Sequence, residues 1–248
     1  MNVQKVRDLT LVDLGQQRTM VIACDSCGGV GMKEQDVLQV SPHITGRYTA
    51  RVAILEVLCT GAEVICLTST ICNEMNSTGK DMIEGIKAEL QEAGINNVVL
   101  TGSTEENFPT VATGLGVTAV GMIQSNQLKV NSIKQQALLV ALGRPKVGQE
   151  VLAGGGNDCI HYQLIKQMLK DDEVYEIIPV GSKGILYEMQ ELARNNRLNL
   201  IVNPDIKLDV MKSGGPSTAV IAAVSARYFS KMDVQVSMEL VGEVCRGE

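Results

Sequence analysis

The apolar residues of this chain come in short runs, and several of the runs stop at a glycine. Even Ala219 to Val224 has only the length of one buried strand. Asp8–Leu14 and Thr19–Cys24 read as strands, and Gly28 to Gly31 break the second into a loop. The run from Arg47 to Thr60 has helical spacing, with Val52, Leu55 and Cys59 on one stripe and Gly61 as its stop. Glu63–Thr68 is a short buried strand. Ser77–Ala93 is an amphipathic helix striped by Ile83, Ile86, Leu90 and Ala93, and Gly94 ends it. Asn97–Thr101, Val117–Ile123 and Ala137–Leu142 are further strands, and Gly102–Pro109 is a polar loop.

Glycines and a proline-bearing turn between Gly143 and Gly156 mark a boundary. They divide the chain into residues 1–143 and 144–248. Beyond the boundary, Cys159–Leu169 and Ile185–Arg194 read as helices, and Leu198–Val202, Ala219–Val224 and Val234–Val241 as strands. The order of elements is mixed rather than strictly alternating, which predicts an α+β chain.

Charge and side-chain type exclude several functions. With 45% hydrophobic residues the chain is not disordered. A net charge of −6 without a long basic block argues against nucleic acid as a partner. Two Phe, five Tyr and no Trp are too few for a base-stacking platform. No apolar run approaches the roughly 20 residues that span a bilayer, so no membrane partner is expected. The opening MNVQKVRDLTLVDLGQQ has no signal-peptide core, and seven irregularly spaced cysteines make a poor disulfide framework. A reduced, cytoplasmic setting is expected. Cys24 and Cys27 form one CxxC, which reads as two small residues beside a glycine loop rather than as a redox pair or half of a four-ligand zinc site.

The familiar catalytic motifs are absent. GGVGMK lacks the spacing and final hydroxyl of a Walker A loop, no GxSxG or HExxH occurs, and the two histidines, His43 and His161, have ordinary loop and surface-helix readings. The sequence instead places acids and hydroxyls beside glycine loops. In Ala23–Lys33 a carboxylate, Asp25, leaves a strand end before Gly28, Gly29 and Gly31. Such a loop brings backbone N–H groups near phosphate oxygens, and a carboxylate there suits Mg2+. Glu56 lies among apolar helix residues, where a charge is costly unless paired or bound to a cation. Leu100–Pro109 gathers Ser103, Thr104, Glu105, Glu106 and Asn107 after a strand.

These three segments, in this order, resemble the ATP-binding superfamily named after aminoimidazole ribonucleotide synthetase. Its relatives are thiamine-monophosphate kinase, selenophosphate synthetase and a hydrogenase maturation factor. The family pattern is an Asp-Gly-Val-Gly-like segment, a helix ending Asp-Leu-x-x-x-Gly-Ala, and Gly-Gly-x-Thr with nearby acids. Asp25–Lys33, Glu56–Ala62 and Gly102–Glu106 look like these, and residues 8–142 carry the likeness. Within the group, CDSCGGVG, ARVAILEVLCTGAE, LTGSTEENFPTVATGLGVT and ALGRPKVG look like the α-ribazole kinase branch. The chain departs from the pattern at Glu56, where Asp is usual, and in a second domain shorter than the family's.

The resemblance implies a two-domain α+β fold with mixed sheets packed by helices, a shortened second domain, and a homodimer formed through the first domain. It implies ATP and Mg2+ as cofactors, and a nucleoside, α-ribazole, phosphorylated on its 5′-hydroxyl for the lower nucleotide loop of cobamides. Asp25, Glu56 and one or both of Glu105 and Glu106 are then the metal ligands. Gly28, Gly29, Gly31, Lys33, Gly102, Ser103 and Thr104 hold the phosphates, and Asp25 and Glu106 are the carboxylates beside the reacting hydroxyl. Gly214, Gly215 and Ser217 are a weaker substrate set. Gly154–Asp158, before a helix, reads either as an anion loop or, preferably, as a linker. Two other functions stand beside this one. Thiamine-monophosphate kinase is disfavoured because no paired Asp-Asp segment occurs near the N-terminus. A maturation factor acting on a partner protein would use the near-terminal Cys245, which otherwise reads as an incidental thiol.

Overall fold

Strands β1 (Val3–Val6), β2 (Leu9–Gly15) and β3 (Arg18–Gly28) open the chain as an antiparallel meander. The β2–β3 turn needs three consecutive left-handed residues, Gly15, Gln16 and Gln17, and Asp13 Oδ1 accepts the Gly15 N–H at 2.8 Å. The computed structural model describes residues 2–153 and 158–247. Contacts divide it into two units. The first comprises Met1–Val57 and Ala62–Ser125; the second comprises Leu58–Gly61 and Asn126–Glu248.

The first unit continues with β4 (Val30–Gly31), β5 (Leu38–Gln39) and helix α1 (Pro42–Cys59). Next come β6 (Glu63–Ile71), a π-helical turn at Met75–Gly79, α2 (Lys80–Glu92), β7 (Val99–Ser103) and β8 (Gly114–Gln124). Six strands form one mixed sheet in the order β1-β2-β3-β8-β6-β7. Within this sheet only β6 and β7 pair in parallel, with α2 in the connection between them; β4 and β5 form a separate parallel pair.

Burial along β3 and β8 alternates with period two, so one face is covered. Helix α1 covers it: a Cβ on Gly121 of β8 would lie 2.4 Å from a methyl of Val57. The helices α1 and α2 meet backbone to backbone. A Cβ on Gly46 would lie 2.1 Å from the Met82 carbonyl oxygen, and one on Gly85 would lie 2.0 Å from that of His43. Beside this crossing, Arg47 Nε (3.0 Å) and Arg51 (3.4 Å) hold Glu89, which is 1% exposed.

The second unit contains β9 (Ala137–Leu142), α3 (Gln149–Leu152), α4 (Tyr162–Met168), β10 (Val174–Pro179) and α5 (Gly184–Asn196). It ends with β11 (Asn199–Val202), β12 (Val220–Val224), α6 (Ala226–Phe229) and β13 (Met238–Cys245). Its antiparallel sheet runs β10-β12-β9-β13-β11. β12 is buried at all five positions, the pattern of a strand covered on both faces. Ile185, Met189, Leu192 and Ala193 of α5 pack on Leu139, Ala141, Ile221 and Ala223.

Several expectations shift. β9, placed by sequence before a boundary at residue 143, is the central strand of the second sheet, and the units divide at Ser125. A continuous apolar run does not say which sheet it enters. The last strand lies about four residues later than Val234–Val241. His43 is in the first turn of α1 rather than in a loop, and His161 immediately precedes α4. Residues 154–157 of the glycine-rich loop lie outside the described residues.

Candidate functional site

At the end of the first sheet where β3 finishes, three loops converge: residues 29–37, 72–79 and 104–113. Two carboxylates stitch them together. Asp36 is buried; its Oδ1 accepts the Thr113 N–H (2.7 Å), and its Oδ2 accepts the Thr113 hydroxyl (2.6 Å) and the Lys33 N–H (2.7 Å). These bonds outweigh burial and hold its pKa below the usual range. Glu74 Oε1 accepts from Lys33 Nζ (2.5 Å) and the Thr78 hydroxyl (3.0 Å), and its Oε2 accepts from the Thr110 hydroxyl (3.1 Å). The lysine, first of all, brings Glu74 down to about 2. Fully buried Asn73 completes the set, donating to Thr110 Oγ1 (2.7 Å) and the Ala112 carbonyl (2.9 Å) and accepting the Gly114 N–H (3.0 Å).

Beside this pole the sheet carries a second arrangement. The pairing places Asp25, Val117, Ser69 and Gly102 in one row across β3, β8, β6 and β7, on the helix-covered face. Asp25 is half-buried, and desolvation, supplemented by the nearby Asp8 charge, pushes its carboxyl up to about 6 against one backbone bond that lowers it. On the opposite face, two rows expose hydroxyls and a thiol: Cys24–Thr118–Thr68–Thr101 and Ser26–Gly116–Thr70–Ser103.

Residues 7–123 match the family described as AIR synthase related protein, N-terminal domain. The first unit is an AIR synthase related N-terminal domain. Solved structures extend the likeness over both units. AaThiL complexed with AMPPCP and TMP matches with TM-score 0.68 and 11% identity over 97% of this chain and 85% of its own. Thiamine-monophosphate kinase from Stenotrophomonas maltophilia K279a matches with TM-score 0.64 and 14% identity over 99% of this chain and 89% of its own. T. maritima PurL complexed with ATP matches with TM-score 0.65 and 17% identity over 96% of this chain, which spans only 42% of that protein. At these identities the likeness is one of fold. No curated protein matches the sequence significantly.

The AIR synthase related domain distributes the expected site residues differently from the sequence reading. Asp25 is inside β3, paired with Val117, rather than at a strand end, because β8 pairs with β3 through Gly28. The acids do not gather: among the described residues no group of three or more His, Cys, Asp and Glu could hold a metal ion. Asp25 and the β7 end that leads to Glu105 and Glu106 are three strand spacings apart, about 14 Å. Glu56 adjoins Val57, which lies over the Val21–Gly121–Val64 row, four strand residues or roughly 13 Å from the Asp25 row. Asp25 and Glu56 thus belong to separate rows, while Glu105 and Glu106 fold back from β7 onto Asn73 and Met75.

The glycine cradle is also corrected. The Gly29 N–H is donated to the Thr113 carbonyl (2.9 Å). Gly31 is buried where a Cβ would lie 2.2 Å from Thr113 Oγ1 and 2.8 Å from Asp36 Oδ2. Gly28 has open space around it. Gly102 is required by packing, since a Cβ there would meet the Ser69 carbonyl at 2.3 Å. Ser103 is exposed, whereas Thr104 donates its hydroxyl to Glu106 Oε1 (2.8 Å), which also accepts the Met75 N–H (2.8 Å). Glu105 Oε1 accepts the Asn107 N–H (2.6 Å).

Cys24 and Cys27, three apart on β3, point to opposite faces, so they are not a ligand pair. In the second unit, Gly214 is tight against Val180 (2.8 Å for an added Cβ), Ser217 is buried in a left-handed turn, and Gly215 is half-buried. The sequence reading does not include Asp36, Asn73, Glu74, Thr110 or Thr113, nor Thr68 and Thr70. The three consecutive hydroxyl residues Thr68, Ser69 and Thr70 were the one signal for the last two.

Proposed function

We propose that the chain is an ATP-dependent phosphotransferase that phosphorylates a small-molecule alcohol, with the 5′-hydroxyl of α-ribazole as acceptor. The carrying observation is a fold shared over nearly the whole length of both this chain and AaThiL, a protein solved with an ATP analogue. The acceptor rests on the sequence segments that look like the α-ribazole kinase branch. The neighbours favour one second reading, thiamine monophosphate as acceptor, since two of them are ThiL proteins.

The residues present suit a magnesium–nucleotide ligand of a particular kind. Mg2+ is commonly held by one or two carboxylates with phosphates and water, not by an all-protein cage. Asp25 is a single carboxylate kept partly from water, for which a cation would compensate the cost of its charge. Bound Mg2+ would supply charge neutralisation at the phosphates. Asp25 would orient the ligand from the helix-covered face, and Glu105 and Glu106 would act from the loop held against the 72–79 turn, whereas Ser26, Thr70 and Ser103 lie on the opposite face of the sheet and are not part of this set. Phosphoryl transfer needs such positioning rather than an enzyme nucleophile.

A homodimer belongs to the same proposal. The open face turns apolar away from the hydroxyl rows, through Val12–Met20–Met122 and Ile22–Val120–Cys66–Val99, and a second copy would cover it. The deciding experiment incubates the chain with Mg-ATP and separately with α-ribazole, thiamine monophosphate or aminoimidazole nucleotides. Phosphorylated α-ribazole is the expected product. Product from thiamine monophosphate alone would replace the acceptor, and no product from any of them would remove the kinase reading.

A further inference from the structure

We infer that Glu74 is the positioning residue of this pole: it ties the 72–79 turn to the glycine-rich loop and to the 104–113 loop, with Lys33 as its strut rather than as a phosphate ligand. The inference rests on the proposed ATP site for its catalytic consequence, but the clamp is visible without it. Lys33 and Thr110 come from segments 41 and 36 residues away from Glu74, and each meets a different oxygen of the carboxylate. The Thr110 hydroxyl has one proton. It donates that proton to Glu74 while accepting from Asn73 at 2.7 Å, so its orientation is determined from both sides.

Asn73, adjacent in sequence, also fixes the Ala112 carbonyl and the Gly114 N–H, and its own carbonyl takes the Glu105 N–H (3.1 Å). On the other side, the Lys33 N–H and the Thr113 hydroxyl converge on Asp36. Backbone bonds from the Gly29 N–H to the Thr113 carbonyl (2.9 Å) and from the Gln35 N–H to the Val111 carbonyl (2.9 Å) join the first and third loops, and Glu74 is the side chain that ties the 72–79 turn to both. A polar network of this kind holds its geometry only when every member is satisfied. Catalytic groups displaced by about 1 Å lose on the order of a hundredfold in rate. The Lys33 charge is already engaged by Glu74 at 2.5 Å, which is the reason for assigning it to the clamp.

The test uses Glu74→Gln, Lys33→Met and the double variant of the full chain. Amide hydrogen exchange without nucleotide reads the clamp. Glu74→Gln is expected to raise exchange in residues 29–37 and 104–113 together while leaving β3 and β8 protected. A rise in one loop alone would overturn the inference. The affinity for Mg-AMPPCP and the kcat and KM for Mg-ATP read the role of Lys33. As a strut, Lys33→Met costs about as much in kcat as Glu74→Gln, roughly tenfold or more, and the double variant costs no more than either. If Lys33→Met multiplies the loss equally in both backgrounds, Lys33 binds phosphate directly and the inference fails. Wild-type chain that does not bind Mg-AMPPCP would refute the ATP reading, and the joint exchange result would then decide the clamp alone.

Discussion

Asp25 bears a cost that the fold alone does not require. Its carboxyl titrates near 6 in the folded chain, against an ordinary value of 3.8. The folded state therefore binds the proton more tightly than the unfolded state, and stability falls as pH rises from about 4 to 6. Removing the charge should stabilise the ligand-free protein above pH 6, by roughly 1–2 kcal/mol after allowance for solvent screening. Asp25→Asn should thus melt higher at pH 7.5, melt unchanged at pH 3.5, and lose Mg-ATP-dependent phosphorylation by at least about a hundredfold. Equal melting at pH 7.5 would contradict the burial cost; full turnover would contradict the role. Glu74 has the opposite sign. Its carboxyl is held down to about 2, so its contribution is present above about 4.5 and is lost as pH falls toward 2. Glu74→Gln should lower the melting temperature at neutral pH and converge with wild type near pH 2. Because the carboxylate is partly solvated, the loss should be about 1 kcal/mol.

Among elements, the close crossing of α1 and α2 makes the sharpest demand on sequence. A side chain at Gly46 or Gly85 has no room, because carbonyl oxygens occupy the space about 2 Å away. Gly85→Ala should destabilise the chain by about 2 kcal/mol or more, read by chemical unfolding, with the separation of α1 from α2 as its cause. An unfolding midpoint equal to wild type would refute the packing. The elements themselves were largely legible. α1 and α2 carry helical stripes that end at Gly61 and Gly94, both left-handed in the structure, and β2, β3, β6, β8, β9, β11 and β12 are apolar or alternating runs. β1 was not legible because VQKV is a polar edge strand stabilised by pairing with β2. β10 was hidden by Glu176, a fully buried acid that accepts from Asn196 (2.9 Å), so that a charge interrupts what would otherwise read as a strand. The site was less legible than the fold. Asp25 was visible as an acid among small residues, but the loop network joins side chains 36 to 77 residues apart, and local spacing carries no trace of such pairs.

The whole chain divides into two units, each with its own sheet and core. The first is the AIR synthase related domain, and the match to AaThiL covers 97% of this chain. At this scale the proposed dimer is the claim to test. The open face of the first sheet carries Ile22 and Val120 where a monomer would favour polar residues. Light scattering is expected to give twice the chain mass, and Ile22→Glu is expected to halve it while circular dichroism remains unchanged. A wild-type monomer at working concentration would overturn the dimer.

The pairing of β3 with β8 runs unbroken over eleven residue pairs, from Arg18–Gln124 to Gly28–Gly114. Such a ladder behaves as a beam. Asp25 is bonded into it rather than mounted on a hinge, so the acid is a stationary post during any catalytic cycle. Movement that brings reactants together must come from the loops at the end of the beam, and their travel is limited by the tether that joins them.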